Sequence, residues 1–313
     1  IARNSFAGGS QRSRLTLFRH PLNEFMPEYE LTEVTTSSDH EILALLQRVY
    51  PDLTASEVET ALSHHYRLFA LRKQAQWVGI AGLHIYPHLS DRQRAWIHDL
   101  ITTDDPAFPN SQSELIANLR QICSELRCSE IAIHVSTENA IANQFFLKEA
   151  GQPFAVVYGW TKHSWTGERT AIADDVQCRE IKTVEDIASS LSLLKHFHPD
   201  TDQTSLTNAM QQGYEVFGLW IEDQLCSIAT LIRYPHLKNG ICVWLQDGMT
   251  LPIKRYKEAA SSLFQSVMNA CFQSGSLTVT VHARATNRRI HRFYEQSGGH
   301  HIANAYKWKM DLA

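Results

Sequence analysis

The sequence predicts an α/β protein of two mixed-sheet domains in tandem, and three observations carry that expectation. The chain repeats itself at an offset of 148 residues: Tyr66 falls on Tyr214, Phe69 on Phe217, and Tyr86-Pro87-His88-Leu89 on Tyr234-Pro235-His236-Leu237. Trp96 and Trp244, Asp99 and Asp247, Asn139 and Asn287, Phe145 and Phe293, Tyr158 and Tyr306, and Trp160 and Trp308 keep the same register. A gapless register over roughly a hundred residues means whole domains, not solenoid repeats. The length of 313 residues suits two domains. Each copy also reads β-α-α-β-β-β-α-β-α-β, an order that needs a mixed sheet with helices on both faces.

Residues 1–30 read as a polar leader outside the repeat, 31–162 as the first domain, 163–175 as a polar linker and 176–313 as the second domain. In the first copy a strand is expected from Glu30 to Thr35 and a helix from Asp39 to Val49, broken at Pro51. A second helix opens at Thr54, with Glu57 completing a capping box. Two strands, Tyr66 to Arg72 and Trp77 to Tyr86, flank the polar turn Lys73-Gln74-Ala75-Gln76. Then come a strand from Ala95 to Thr102, a long helix to about Arg127, a strand from Glu130 to Val135, a helix from Asn139 to Ala150 and a last strand through Trp160. The second copy repeats the order from about Cys178 to Met310. Such sheets bind ligands where strand ends splay.

Hydrophobic residues at 43% and charged residues at 20% describe an ordinary globular chain. A net charge of −4 offers no broad basic field, so no nucleic-acid partner is expected. No stretch is apolar enough for a membrane span or a signal-peptide core, which makes a cytoplasmic location the expectation. A first residue of Ile rather than Met suggests a piece of a longer chain. The six cysteines lack C-x-x-C spacing and read as reduced, packed thiols. His64-His65, His196 with His198, and His300-His301 each lack further ligands nearby, so no metal is expected.

The sharpest local signal is Asn287-Arg-Arg-Ile290-His-Arg-Phe293-Tyr294-Glu-Gln-Ser-Gly298, directly after a strand. It resembles the closing motif of the GCN5-related N-acetyltransferases (GNAT), N-x-x-A-x-x-F-Y-x-x-x-G. The resemblance extends over both repeats and implies two tandem GNAT-like acyl-CoA N-acyltransferase folds. It further implies that acetyl-CoA, or another acyl-CoA, lies between two splayed strands, with its pyrophosphate on a Q/R-x-x-G-x-G/A loop opening the next helix. A helix N-terminus suits that anion, because its N–H groups are free and its dipole is positive. In the second copy the loop is Arg255-Tyr256-Lys257-Glu258-Ala259-Ala260; Arg255 and Ala260 match, and Glu258 stands at the first glycine. That carboxylate either is offset by Lys254, Arg255 and Lys257 or points to solvent. The first copy has Ala107-Phe-Pro-Asn-Ser-Gln112, with neither arginine nor glycine, and there Asn110 and Ser111 read as helix caps. Its tyrosine position is Phe146.

The resemblance therefore implies acyl transfer, in the simplest case of acetyl, to an amine of a small molecule or protein, in the second domain beside a degenerate first. Tyr294 is the implied acid for the leaving thiolate. The strand Gln246 to Thr250, with Gly248, Met249 and Thr250, is the implied acyl cradle, and Asn287 and Phe293 complete the cofactor side. Asp247 is the candidate base, although Asp99 opposite it suggests architecture. His282 and His291 are lesser candidates. Trp96, Trp244, Tyr86 and Tyr234 read as core, and Arg288, Arg289 and Arg292 as a solvated helix face. Two alternatives stand beside this: a GNAT-like binding module without turnover, and transfer to or decarboxylation on a carrier-protein thiol.

Overall fold

A computed structural model describes residues 29–64, 66–89, 93–167, 175–196 and 198–310. All but the last two residues of the expected leader, and most of the linker, lie outside the described residues. The first copy folds as β1 (Glu30–Val34), α1 (His40–Gln47), α2 (Ala55–Ser63), β2 (Arg67–Lys73), β3 (Gln76–Pro87), β4 (Gln93–Thr102), α3 (Ser111–Glu125), β5 (Cys128–Ser136), α4 (Ala140–Glu149) and β6 (Ala155–Thr161). The second repeats it as β7 (Val176–Glu180), α5 (Val184–Leu194), α6 (Gln203–Gln211), β8 (Tyr214–Ile221), β9 (Gln224–His236), β10 (Gly240–Thr250), α7 (Tyr256–Gln273), β11 (Thr278–Ala283), α8 (Arg288–Gln296) and β12 (His300–Lys309).

Local chemistry sets these boundaries. Asp39 caps α1 by accepting the Glu41 and Ile42 N–H groups at 2.9 and 3.3 Å. Thr54 accepts the Glu57 N–H at 3.2 Å while Glu57 accepts the Thr54 N–H at 2.8 Å, so the expected capping box opens α2. The β2–β3 hairpin turns on Gln74, whose φ is +55°. Gly298, at φ +77°, lets the chain leave α8 in the left-handed region, and its N–H returns to the Glu295 carbonyl at 3.0 Å.

The strands form one sheet in the order β1-β2-β3-β4-β5-β12-β6-β11-β10-β9-β8-β7. Exchanging the labels of the two repeats maps this order onto itself, which defines a pseudo-twofold relation. The last strand of each repeat has crossed over: β12 pairs antiparallel with β5, and β6 with β11. Side chains fix the exchange in both directions. The Trp160 indole donates to the Ser297 carbonyl at 2.9 Å, and Trp308 donates to the Glu149 carbonyl at 3.1 Å. Likewise the Tyr306 hydroxyl donates to Asn143 at 3.0 Å, and Tyr158 bridges Glu295 and His291, each at 3.0 Å. Each half is thus completed by ten residues or fewer from the other's end.

The cores follow the same interleaving. One packs α7 and α8 on the second half of the sheet and takes in Tyr158 and Trp160. Another packs α3 and α4 on the first half with Tyr306 and Trp308. On the opposite face, the core under α5 and α6 includes Tyr86, Leu89 and Trp96, and the core under α1 and α2 includes Leu237. Pseudo-equivalent residues meet where the halves join. Trp96 and Trp244 lie 4.3 Å apart between ring centroids, and the Nε2 atoms of His134 and His282 approach to 2.7 Å. Of those two nitrogens one must donate and one accept, so the pair breaks the symmetry in its protons. The tryptophan and tyrosine pairs expected as core are buried, and they pack between the repeats rather than inside each.

Candidate active site

In both repeats the site grows from a β-bulge. β10 pairs with β9 at Leu245–Leu231 and resumes at Gly248–Ala229, so Gln246 and Asp247 stand opposite Thr230 alone. The parallel pairing of β10 with β11 stops at Leu245–Val281. Beyond that point the strands splay, and alternate backbone N–H and C=O groups of Gln246 to Thr250 face away from β9 with no strand to take them. A Cβ built on the exposed Gly248 would meet no atom within 4 Å. Thr250 and Met249 are tied down on the β9 side, where the Ser227 hydroxyl lies 2.7 Å from Thr250 Oγ1 and donates to the Met249 carbonyl at 2.8 Å. In the first repeat β4 leaves β5 after Ile97–Ile133, with its bulge at Asp99 in the left-handed region, φ +50°.

The bulge aims an aspartate at the same place in each half. Asp247 accepts from His198 Nε2 at 2.9 Å and from the Tyr214 hydroxyl at 3.1 Å, while its own N–H donates to Thr230 Oγ1 at 3.0 Å. Burial by itself raises the Asp247 carboxyl; the hydrogen bond and charge of His198, then Tyr214 and His88, outweigh it and hold the group below its ordinary value. It is a carboxylate at neutral pH. Asp99 instead accepts from two tyrosines, Tyr50 and Tyr66. Tyr50 occupies the place of His198, and burial followed by the Asp99 charge drives its phenol above its ordinary value. Exposure separates the two aspartates further: the side chains of Asp247 and His198 keep 18% and 14%, whereas Asp99 keeps 3%. One half has a reachable acid–imidazole pair, and the other a shut acid–phenol cluster. Among the described residues no histidine, cysteine or carboxylate group is arranged to hold a metal.

His198 is the residue that sequence reasoning missed. The offset that pairs Asp99 with Asp247 also pairs Tyr50 with His198, immediately before the matching Pro51-Asp52 and Pro199-Asp200, but in the sequence His198 reads only as a metal-ligand candidate and nothing local links it to Asp247.

The loop before α7 is closed by its own side chains. Arg255 sits at the N-cap without a capping bond and turns its guanidinium onto both carboxylate oxygens of Glu258 and onto Asp175 of the linker. Those hydrogen bonds hold Glu258 and Asp175 below the ordinary carboxylate range. Of the two expected fates for Glu258, the ion pair holds it, on the arginine that would meet a pyrophosphate. Arg288, Arg289 and Arg292 are exposed, as expected of a solvated helix face, and the Arg289 guanidinium also lies 4.7 Å above the Tyr256 ring. Ala259 lies on the buried face of α7, whereas Lys257 and Ala260 lie nearer the surface. In the first repeat Asn110 takes the N-cap position of α3 without a side-chain bond, and Ser111 is buried behind it.

No family model and no curated protein matches the sequence. Solved structures do match along nearly its whole length. A tandem GNAT protein from the clavulanic acid biosynthesis pathway aligns with TM-score 0.54 at 9% identity, covering 91% of this chain and all of its own. A GCN5-related N-acetyltransferase from Sphaerobacter thermophilus aligns with TM-score 0.56 at 12% identity, covering 91% of this chain and 97% of its own. A putative acetyltransferase from Pyrococcus horikoshii gives TM-score 0.52 at 12% identity, covering 95% and 94%. The fold is that of tandem GNAT proteins. At these identities the likeness is one of architecture.

Within the GNAT frame, the closing helix of the second repeat divides its labour. Asn287 caps α8 by accepting the Ile290 N–H at 3.2 Å, as Asn139 caps α4 at 2.9 Å, a role both copies share. Phe293 and Tyr294 pack on Phe264, and Tyr294 also meets Trp160 at 5.7 Å. Burial raises the Tyr294 phenol above its ordinary value, so it stays protonated. Phe146, its counterpart, is buried against Tyr306 and Trp308. His291 is anchored twice, to the Tyr158 hydroxyl and, at 3.0 Å, to the Arg284 carbonyl. His282, bonded to His134, packs against Trp96, Trp244 and Phe154 where the repeats join, one residue beyond the last β10–β11 pair.

Proposed function

We propose that the chain transfers an acyl group, acetyl in the simplest case, from acyl-CoA to the amine of a small molecule or protein, and that its second unit does so. The reading rests on one observation: the Asp247–His198 pair at the open bulge, where the first unit has Asp99 and Tyr50. Asp247 holds the Nε2–H of His198, which makes Nδ1 the basic nitrogen. His198 accepts the proton of the attacking amine at Nδ1, and the Asp247 carboxylate stabilises the resulting imidazolium. Backbone N–H groups of Gly248 to Thr250 on the splayed side supply hydrogen bonds for the oxyanion. Tyr294, kept protonated, returns a proton to the leaving thiolate. The N-terminus of α7, with Arg255, Tyr256, Lys257 and Ala260, takes the pyrophosphate once Arg255 leaves Glu258.

His198→Phe and Asp247→Asn should each lower kcat about a hundredfold or more, the usual worth of a general base. Tyr50→Phe should leave it within about threefold, and Tyr294→Phe should lower turnover with cofactor affinity unchanged. Equal losses at Tyr50 and His198 would place the chemistry elsewhere. The closure of Arg255 by Glu258 and Asp175 favours a second reading, a GNAT-like binding module without turnover. Glu258→Gly separates the two. If the loop serves a pyrophosphate, removing this carboxylate and freeing Arg255 should tighten acetyl-CoA binding about tenfold. Absence of binding in both proteins at millimolar acetyl-CoA decides for the module.

A further inference from the structure

The Tyr-Pro-His-Leu run is retained in both repeats, yet neither copy uses it at home. β3 loses its β2 partner after Leu83–Arg67 and continues beside β4 alone to Pro87–Gln93. A proline is tolerated there because its missing N–H faces the side that β2 has left. The freed tip crosses to the second unit. Tyr86 meets Trp244 edge-on at 5.2 Å, Leu89 is fully buried under α5 and α6, and its carbonyl accepts from the Thr201 hydroxyl at 3.3 Å. Between them His88 packs edge-on against His198, with ring centroids 4.6 Å apart and planes at 86°. The reverse tip does the same: Leu237 enters the core under α1 and α2, and His236 Nε2 comes within 4.0 Å of Asp99.

We infer that the first unit's Tyr86-Pro87-His88-Leu89 tip is part of the second unit's site, with His88 acting as a positioning residue for His198. The inference rests on the acyltransferase reading only for the role of His198 as base. An imidazole bonded to Asp247 through Nε2 can still pivot about that bond, and a ring braced edge-on removes the pivot. His88 suits the task because burial, then the Arg94 and His198 charges, push it down to about 3, so it adds no competing positive charge. Among the described residues, Asp247 from β10 and His88 from the tip face His198, with Tyr214 of β8 bonded to the same Asp247 oxygen and Arg94 of β4 behind them. The first unit, lacking chemistry of its own, thereby furnishes a wall of the working site.

The test follows the imidazole signals of the full chain by NMR through a pH titration, in wild type, His88→Phe and His88→Asn, with His236→Phe as the pseudo-equivalent control. The phenyl variant keeps the ring packing and the smaller variant guards against failure to accommodate it. Both should move the His198 midpoint by about half a pH unit or more and change its ring shifts. They should also lower kcat about tenfold with KM for acyl-CoA unchanged. His236→Phe should do neither. An unchanged His198 titration in both His88 variants overturns the inference, whatever the activity. A moved titration in a chain without acyltransferase activity in any form sinks the acyltransferase reading and leaves the composite site standing.

Discussion

A chain cut back to residues 163–313 is expected not to fold. By repeat boundaries it is a complete copy, but the fold gives it neither β6 nor the Tyr86-Leu89 tip. Without β6, the second unit loses Tyr158 and Trp160 from the core under α7 and α8, β11 becomes an open edge, and β12 loses both its neighbours, β5 and β6. Without the tip and β4, the core under α5 and α6 loses Tyr86, Leu89 and Trp96. At about 2 kcal/mol for each large buried side chain the loss is about 10 kcal/mol, which is of the order of a whole domain's stability. The fragment should be insoluble, or bind a hydrophobic dye and show no amide dispersion by NMR. Appending residues 153–162 after position 310 should restore part of the order by giving β11 back its neighbour. A soluble, well-dispersed 163–313 fragment would show that the exchange is dispensable.

The full chain should unfold cooperatively in mild acid, above pH 5. Burial pushes His84 down to about 4 and holds His98 and His134 well below their ordinary value; the last two also feel neighbouring histidines. His88 and His282 are pushed down to about 3 by burial, then by the Arg94 and Lys307 charges respectively. In the unfolded chain each returns to about 6.5. Between those values the unfolded state binds more protons than the folded one, so stability is fully present above pH 6.5 and falls as the pH drops. One unit below 6.5, five such groups together remove up to about 7 kcal/mol, comparable with the stability of a domain. The second repeat suggests the check, since it has Ile232 where the first has His84 and Gln246 where it has His98. His84→Ile and His98→Gln should each move the acid midpoint, read by circular dichroism, to lower pH. A wild-type midpoint below pH 4, indifferent to both substitutions, would contradict this account.

The elements themselves were legible in the sequence for local reasons. The Thr54–Glu57 box, the Gln74 turn and the alternation of apolar residues act within a few positions, and each produced the expected element. The strand exchange was not legible, because β6 and β12 carry the same pattern, with Tyr158 and Trp160 matching Tyr306 and Trp308. Either strand fits either half, and only the three-dimensional join selects the partner. The aromatic pairs and the Tyr-Pro-His-Leu runs were readable as buried for the same reason that their destination was not: burial leaves a mark in composition, and the choice of partner leaves none. At the site, the departure at Glu258 was visible in the sequence, whereas its engagement of Arg255 depends on side-chain geometry at the helix end. The Asp247–His198 pair joins positions 49 apart, one of them in a loop between helices.

The central claim is that one half works and the other supports it, and a structure determined with acetyl-CoA tests this most directly. The account predicts one molecule per chain, lying between β10 and β11, with its pyrophosphate on the α7 N-terminus, Glu258 released from Arg255, and the thioester within reach of Tyr294 and the bulge. Acetyl-CoA lodged between β4 and β5, or in neither splay at saturating concentration, would contradict it.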